Sequence, residues 1–117
     1  MGNINIGWIG AGFVGQSAHL ERFINFDNCC IKGIADLRPE LAKKVAKSYD
    51  IKDTYFHHTE LLKDKSIEAC IAIVNRRHTY EIAKDVLESG KHLFTEKPMA
   101  STYQQAKELV AIAEKKG

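Results

Sequence analysis

The sequence predicts a single α/β domain built around a doubly wound parallel sheet. Three observations predict this class: strand-length apolar runs alternate with stretches of helical period, one run is continuous, and no repeat or Pro/Gly-rich linker interrupts the order. The continuous run, in EACIAIV at residues 68–74, is typical of a strand whose two faces are both covered by helices. A length of 117 residues suits one domain, which we expect to span residues 1–117.

The first half of the chain predicts two strands, each followed by a helix. INIGWI, residues 4–9, is predicted as the first strand, and a helix is predicted from Phe13 to Asn25. CCIKGIAD, residues 29–36, is predicted as the second strand. Pro39 suits the first turn of the next helix, in which Leu41, Val45 and Tyr49 recur four residues apart.

The second half repeats this order. DTYF, residues 53–56, predicts a short third strand, and a short helix capped near Thr59 follows. After the fourth strand, a helix from His78 to Ser89 is ended by Gly90. KHLF, residues 91–94, predicts the fifth strand. Ser101 and Gln104 form a capping box before a last helix, from Ala106 to Lys115.

The bulk composition excludes several classes of protein. Apolar residues make up 44% and charged residues 27%, which is typical of globular proteins. The net charge is only +2 and is spread along the chain, so neither nucleic acid nor an anionic membrane is a predicted partner. No apolar run approaches a membrane span, and no secretory signal precedes the first strand, which favours the cytoplasm. Three cysteines, two of them adjacent, predict neither a disulfide framework nor a zinc site, and we expect Cys29, Cys30 and Cys70 to be buried.

A glycine-rich motif lies at the predicted turn between the first strand and the first helix. GAGFVG, residues 10–15, has the G-x-G-x-x-G spacing in the strand–turn–helix context that favours dinucleotide binding. Gly10 permits the tight turn, Gly12 lets a pyrophosphate approach the backbone, and Gly15 lets the helix lie close to the strand. The N–H groups of Phe13 and Val14 would then face the phosphates at the positive end of the helix dipole. A glycine-rich turn without a ligand is the alternative.

The residues at the end of the second strand favour NAD over NADP. Asp36 stands at the distance from the glycines that the dinucleotide fingerprint requires, and a carboxylate there accepts hydrogen bonds from both ribose hydroxyls and repels a 2′-phosphate. Arg38 has the opposite effect when it pairs with a 2′-phosphate, although it can also lie flat over the adenine. We place Leu37 in the same pocket. A carboxylate that only caps the following helix is the alternative for Asp36.

These motifs, together with ADLRPELA at residues 35–42, ESGKHLF at 88–94 and TEKPMA at 95–100, resemble one family. The sequence is similar, from Asn3 to its last residue, to the N-terminal Rossmann domain of the glucose–fructose oxidoreductase / inositol dehydrogenase / MocA family. The Glu-Lys-Pro triplet is the most specific element. The resemblance implies that Lys97 lies near the nicotinamide and the substrate and that Glu96 contributes to the cofactor pocket.

The residues themselves give Lys97 a compatible role. Ligands of open α/β sheets bind beyond the carboxyl ends of the strands, where Lys97 is predicted to lie. An ammonium there could bind a substrate hydroxyl, stabilise a developing alkoxide or relay a proton during hydride transfer. A surface lysine near a helix start is the alternative.

The segment after the fourth strand departs from the family's pattern. The family commonly has Thr-Pro-Asn-x-x-His there, whereas this sequence has IVNRRH at residues 73–78. Ile73 and Val74 replace the Thr and Pro, while Asn75 and His78 remain. The resemblance implies that Val74, Asn75 and His78 pass the nicotinamide side of the cofactor. For His78 a role at the helix start is the alternative.

Two adjacent histidines, His57 and His58, do not predict a metal site. Neighbouring residues of a strand point to opposite faces, and no carboxylate or cysteine stands at ligand spacing. Motifs of hydrolases and phosphotransferases are absent from the sequence as well.

The resemblance also implies a larger enzyme. The sequence ends after a helix, at Gly117, whereas the family continues into a C-terminal α/β domain that supplies most of the substrate site and the oligomer interface. We therefore expect the cofactor-binding domain of an NAD(P)-dependent, homo-oligomeric dehydrogenase that moves hydride between nicotinamide and a carbinol carbon of a sugar, polyol or nucleotide sugar. The domain alone should bind cofactor and catalyse little. The alternatives are a stand-alone dinucleotide-binding or sensing module, an interaction protein that has lost its ligand, and a reductase of unsaturated or imine substrates.

Overall fold

The computed structural model describes residues 4–11, 28–95, 100 and 102–117. Its strands are β1 (Ile4–Ile9), β2 (Cys29–Ala35), β3 (Asp53–Tyr55), β4 (Ala69–Ala72) and β5 (His92–Thr95). Its helices are α1 (Pro39–Tyr49), α2 (His58–Leu62), α3 (Arg76–Glu88) and α4 (Tyr103–Lys116). The described strands form one parallel sheet in the order β3-β2-β1-β4-β5, which confirms the predicted fold class. The helix predicted from Phe13 to Asn25 lies outside the described residues.

The direction in which strands are added reverses at β1. β1 pairs with β2 on one side and with β4 on the other, so the chain first builds outward to β3 and then returns to build toward β5. Because all strands are parallel, their carboxyl ends meet at one edge of the sheet. Gly10, Asp36 and Ile73 each directly follow one of the three central strands. In open α/β sheets, ligands bind beyond this edge, next to the reversal.

The sheet has a hydrophobic core on each face because side chains of a strand alternate between faces. Trp8 of β1 is completely buried on one face, in a cluster that α1 covers with Val45. Ile9 is buried on the opposite face, in a cluster that α2 covers with Leu61 and α3 with Val86. Burial of apolar area on both faces fixes the register of the strands and thereby the positions of the residues that follow them.

Two helices begin earlier than predicted, each after a polar side chain that provides the cap. α3 begins at Arg76 rather than His78, because the side-chain oxygen of Asn75 accepts a hydrogen bond from the N–H of Arg77 at 3.0 Å. α4 is capped by Thr102, whose hydroxyl oxygen accepts from the N–H of Gln105 at 3.1 Å. The predicted capping box was therefore wrong by one residue, and Ser101 itself lies outside the described residues.

The two adjacent histidines lie at the start of α2 and not in a strand. His57 Nδ1 accepts a hydrogen bond from the N–H of Thr59 at 3.2 Å, and Glu60 accepts one from the N–H of His57 at 3.2 Å, which forms a capping box. The prediction that the two rings point to opposite faces was wrong, because they stack with centroids 4.5 Å apart. His58 Nε2 lies 2.7 Å from a carboxylate oxygen of Asp85 and so links α2 to α3.

The three cysteines differ in burial. Cys70 is buried, Cys29 is partly buried and Cys30 is exposed, so the prediction that all three are buried was wrong for Cys30. Burial raises the pKa of the Cys70 thiol to about 12, which keeps it protonated. Within the described ranges, no group of three or more ligating side chains is arranged to hold a metal ion. None of the helices α1 to α4 is long and apolar enough to cross a membrane.

Candidate functional site

Gly10 closes β1 with a turn that no other residue fits. Its φ is +105°, which is strained for residues that carry a side chain. Its N–H donates to the carbonyl of Ala35 at 2.8 Å, so the end of β1 is held against the end of β2. A Cβ added to Gly10 would lie 2.2 Å from the carbonyl oxygen of Ile73, just beyond β4. The turn is thus tightly enclosed by the ends of its two neighbouring strands.

Asp36 links this turn to the end of β2 through hydrogen bonds. One oxygen of its carboxylate, Oδ2, accepts a hydrogen bond from the N–H of Ala11 at 2.7 Å. The other, Oδ1, accepts from the N–H of Arg38 at 2.8 Å, which forms a tight turn between β2 and α1. The N–H of Asp36 donates to the carbonyl of Tyr55 at 3.2 Å. The carboxylate therefore connects the glycine motif with the residues that follow the second strand.

The guanidinium of Arg38 forms a bidentate ion pair with the same carboxylate, which we call the fork. Nε lies 2.9 Å from Oδ1 of Asp36, and Nη2 lies 2.9 Å from Oδ2. The Asp36 side chain is only 7% exposed, whereas that of Arg38 is 63% exposed. Burial raises the pKa of Asp36, but hydrogen bonds from the Arg38 side chain and from the N–H groups of Ala11 and Arg38 outweigh it and hold that pKa below its ordinary value. Asp36 is thus an anion at neutral pH.

Apolar surface lies at the same edge of the sheet. Leu37, two residues beyond the end of β2, is 58% exposed. Val74 is partly buried, and its Cγ1 would lie 3.1 Å from a Cβ on Gly10. An acidic acceptor, a cation and an exposed aliphatic surface thus stand side by side. This set of groups fits the ribose and adenine of a dinucleotide.

Asn75 and His78 occupy the first turn of α3 and its cap. The Asn75 side chain is engaged as the cap of that helix, and the N–H of His78 donates to the carbonyl of Asn75 at 2.8 Å. His78 is exposed. The Asn75 side chain thus caps α3, and His78 stands in the first turn with its side chain exposed.

The structure brings together one part of the predicted site. Gly10, Asp36, Arg38 and Val74 are joined through the contacts given above, and Leu37 lies between Asp36 and Arg38 in the chain. The remaining predicted site residues lie outside the described residues; they are Gly12, Phe13, Val14, Gly15, Glu96 and Lys97.

Two further contacts at this edge were not predicted from the sequence. The N–H of Ala11 is held by Asp36, and because only its backbone takes part, the residue type gave no signal. The Thr95 hydroxyl donates to the carbonyl of Ala72 at 3.1 Å, which ties the carboxyl ends of β5 and β4 together. A threonine at the end of a strand, directly before the Glu-Lys-Pro triplet, was a signal that could have indicated this second contact.

Comparison with known families agrees with this geometry. The sequence model of an oxidoreductase family with an NAD-binding Rossmann fold, the glucose–fructose oxidoreductase / inositol dehydrogenase / MocA family, matches residues 4–117. The chain belongs to this family. The predicted resemblance is confirmed, and the described parallel sheet agrees with the Rossmann fold of this family.

Two relatives with assigned names are dehydrogenases. The chain is 30% identical over 114 residues to inositol 2-dehydrogenase/D-chiro-inositol 3-dehydrogenase from Lactiplantibacillus plantarum, covering 96% of this chain and 32% of the relative. It is 33% identical over 116 residues to levoglucosan dehydrogenase from Pseudarthrobacter phenanthrenivorans, covering 92% and 29%. The chain thus spans about a third of the length of these relatives.

Solved structures share the fold. An NAD binding oxidoreductase from Klebsiella pneumoniae superposes with a TM-score of 0.88 at 28% identity, over 98% of this chain and 32% of that one. A 3-ketoreductase from Actinomadura kijaniata, solved with TDP-benzene and NADP, superposes with a TM-score of 0.91 over 97% of this chain and 35% of that one. Its identity of 23% supports the likeness of fold alone.

Proposed function

We propose that this chain is the cofactor-binding domain of a dehydrogenase that transfers hydride between a nicotinamide and a carbinol carbon of a sugar, polyol or nucleotide sugar. The observation that carries the proposal is the link between the glycine turn and the end of β2, made by Asp36 and the N–H of Ala11. It lies where the order of the strands reverses, which is the ligand-binding position of this fold.

NAD is the proposed cofactor in preference to NADP. Asp36 is nearly buried and anionic, and it stands where it would accept hydrogen bonds from the ribose hydroxyls and repel a 2′-phosphate. The exposed side chain of Leu37 would contact the adenine. The phosphates would lie against the backbone of Gly12, Phe13, Val14 and Gly15, as the spacing of the motif predicts.

Lys97 is the proposed catalytic residue, with Glu96 in the cofactor pocket. β5 ends at Thr95, two residues before Lys97, and the hydrogen bond from Thr95 to Ala72 fixes the point from which the triplet departs. When bound, the nicotinamide supplies the hydride donor or acceptor. The ammonium of Lys97 would hold the substrate hydroxyl and take part in moving its proton.

The substrate class follows from the relatives, which are dehydrogenases of inositol and levoglucosan. Because the chain spans about a third of their length, we propose that a further part of the polypeptide supplies the second wall of the substrate site. Without that wall, the substrate would face water and remain poorly oriented, so the domain by itself should turn over little substrate.

Titration of the chain with NADH tests the cofactor assignment. Trp8 is the only tryptophan and lies two residues before Gly10, so energy transfer from it to the reduced nicotinamide reports binding. We expect saturable binding, and we expect Asp36→Asn to weaken it about tenfold, since hydrogen bonds to charged groups have that order of strength. Glu40→Gln, an equal change of charge on the exposed first turn of α1, is the matched control. No binding by the wild type, or equal effects of the two substitutions, would contradict the assignment.

A further inference from the structure

We propose that Arg38 occupies the two acceptor positions on Asp36 that the ribose hydroxyls need, and that it thereby reduces the preference for NAD that Asp36 gives. The guanidinium must leave the carboxylate before NAD binds. This inference rests on the proposed function and adds to it a residue that opposes one cofactor and supports the other.

The acceptor capacity of Asp36 carries the inference. Among the described residues, four N–H groups donate to its two oxygens, two to each. A carboxylate has about four lone-pair positions, so none is left for a ribose hydroxyl. Two of the donors are the backbone N–H groups of Ala11 and Arg38, which the fold holds in place. The other two belong to the Arg38 side chain.

The guanidinium of Arg38 is the donor group that the ribose hydroxyls can replace on Asp36. Its side chain is 63% exposed and can turn into solvent, whereas the Asp36 side chain is almost buried. Two ribose hydroxyls supply two O–H donors, the same number that the fork withdraws. Asp36 would keep both of its backbone hydrogen bonds throughout. An exposed ion pair of this kind opposes NAD by up to about fivefold in affinity.

NADP presents the opposite case. Its 2′-phosphate cannot donate to Asp36, but it can accept the fork of Arg38 in the bidentate geometry that guanidinium groups form with phosphates. The positive charge would then lie between two anions and reduce the repulsion between them. Arg38 should therefore support NADPH binding while it opposes NADH binding.

The fold does not depend on the Arg38 side chain for a helix cap. Arg38 is the N-cap residue of α1, but its side chain makes no capping hydrogen bond, and Pro39 sets the first turn. Arg38→Gln removes the charge and the fork, and Arg38→Lys keeps the charge but cannot form the fork. Lys47→Gln, an exposed loss of charge in the last turn of α1, is the matched control.

Titration of the wild type and these three variants with NADH and with NADPH tests the inference. We expect Arg38→Gln to raise NADH affinity about two- to fivefold and to lower NADPH affinity about tenfold or more. Arg38→Lys should raise NADH affinity in the same way and keep most of the NADPH affinity, and Lys47→Gln should change neither. Circular dichroism checks that each variant is folded.

The outcomes separate the two proposals. A fall or no change in NADH affinity for Arg38→Gln, with the wild type binding, would overturn this inference and leave the cofactor assignment standing. An unchanged NADPH affinity would overturn it as well. If the wild type bound neither nucleotide, both proposals would be overturned.

Discussion

Gly10 and Gly90 both have positive φ, but only Gly10 lacks room for a side chain. A Cβ at Gly90 would meet nothing within 4 Å, whereas one at Gly10 would lie 2.2 Å from the carbonyl of Ile73. Gly90 is required by backbone conformation alone, whereas Gly10 is required by conformation and by close packing. The site therefore depends on a contact between the turn after β1 and the segment after β4.

Paired substitutions separate these two requirements. Gly90→Ala should cost about 1 kcal/mol of unfolding free energy, the usual strain of a positive φ. Gly10→Ala should cost clearly more, because the backbone of Ile73 must also move away. Urea unfolding of both variants measures the difference. Equal losses would show that the turn is not closed against β4 as described.

Asp64 provides a test of the electrostatics away from the proposed site. Hydrogen bonds from the Lys32 ammonium at 2.7 Å and from Ser66 lower its pKa to about 2 from the ordinary value of 3.8. Because the pKa is lower in the folded state, the stabilisation is fully present above 3.8 and is lost as the pH falls through about 2. We expect wild type to be more stable than Asp64→Asn at pH values above the ordinary carboxyl pKa, by a margin that shrinks toward about pH 2.

Urea unfolding midpoints of the two proteins across that interval measure the margin. Gln104→Ala, which changes no ionisable group on the exposed surface of α4, is the control whose margin should not change with pH. A margin between wild type and Asp64→Asn that stays constant with pH would mean that the ion pair with Lys32 contributes nothing in solution.

At the scale of the elements, α1 ends at a residue that is not suited to its conformation. Asp50 is the C-cap of α1 with φ of +56°, and its N–H donates to the carbonyl of Ala46. Glycine is the residue that most often adopts this conformation at helix ends, because it has no Cβ to strain. Glycine at this position would therefore increase the free energy of unfolding.

Asp50→Gly should stabilise the fold by about 0.5–1 kcal/mol. The control is Lys63→Gly at the end of α2, where φ is −74° and glycine brings only a loss of chain rigidity. We expect that variant to be less stable than the wild type. Thermal unfolding measures both changes, and a loss of stability in Asp50→Gly would contradict the described C-cap.

The order and type of the described elements could be predicted from the sequence, but the starts of α3 and α4 could not. Hydrophobic period depends on burial, which the sheet imposes on every strand and helix. The cap of a helix depends on which of several adjacent polar side chains is positioned to hydrogen-bond with the backbone N–H groups of the first turn. Ser101 and Thr102 each stand three residues before a glutamine, and the hydroxyl of Thr102 is the one that caps α4. In the same way, His57 takes part in a capping box that no local pattern of the usual residue types indicated.

At the scale of the whole molecule, the sequence placed the glycine motif and Asp36 at one edge of the sheet because parallel strands bring their carboxyl ends together. The sequence did not show that the Arg38 guanidinium hydrogen-bonds to both oxygens of the Asp36 carboxylate. Both roles considered for Arg38, pairing with a 2′-phosphate and lying over the adenine, assumed a bound cofactor. The sequence also gave no sign that the Ala11 N–H is held, because a backbone contact between residues far apart in the chain leaves no trace in residue types.

Within the part of the chain that the structure describes, the opposite edge of the sheet offers a competitor to the proposed site. A cavity of about 400 Å³ lies there, at the amino ends of β4 and β5, and Lys65, Glu68, Lys91 and His92 are among the residues that line it. The Lys91 ammonium is already bonded to the carbonyls of Asp64 and Ile67, at 3.0 and 2.8 Å, which favours a structural role. We propose that the dinucleotide binds at the carboxyl edge and not in this cavity.

An NMR titration of the chain with NAD⁺, followed through assigned backbone amides, distinguishes these two binding positions. We predict that the amide shifts with the largest changes include those of Gly10, Ala11, Leu37 and Arg38, and that Lys91 and its neighbours at the amino edge stay unchanged. Changes concentrated around Lys91, or no changes at a saturating concentration of NAD⁺, would contradict the assignment of the site.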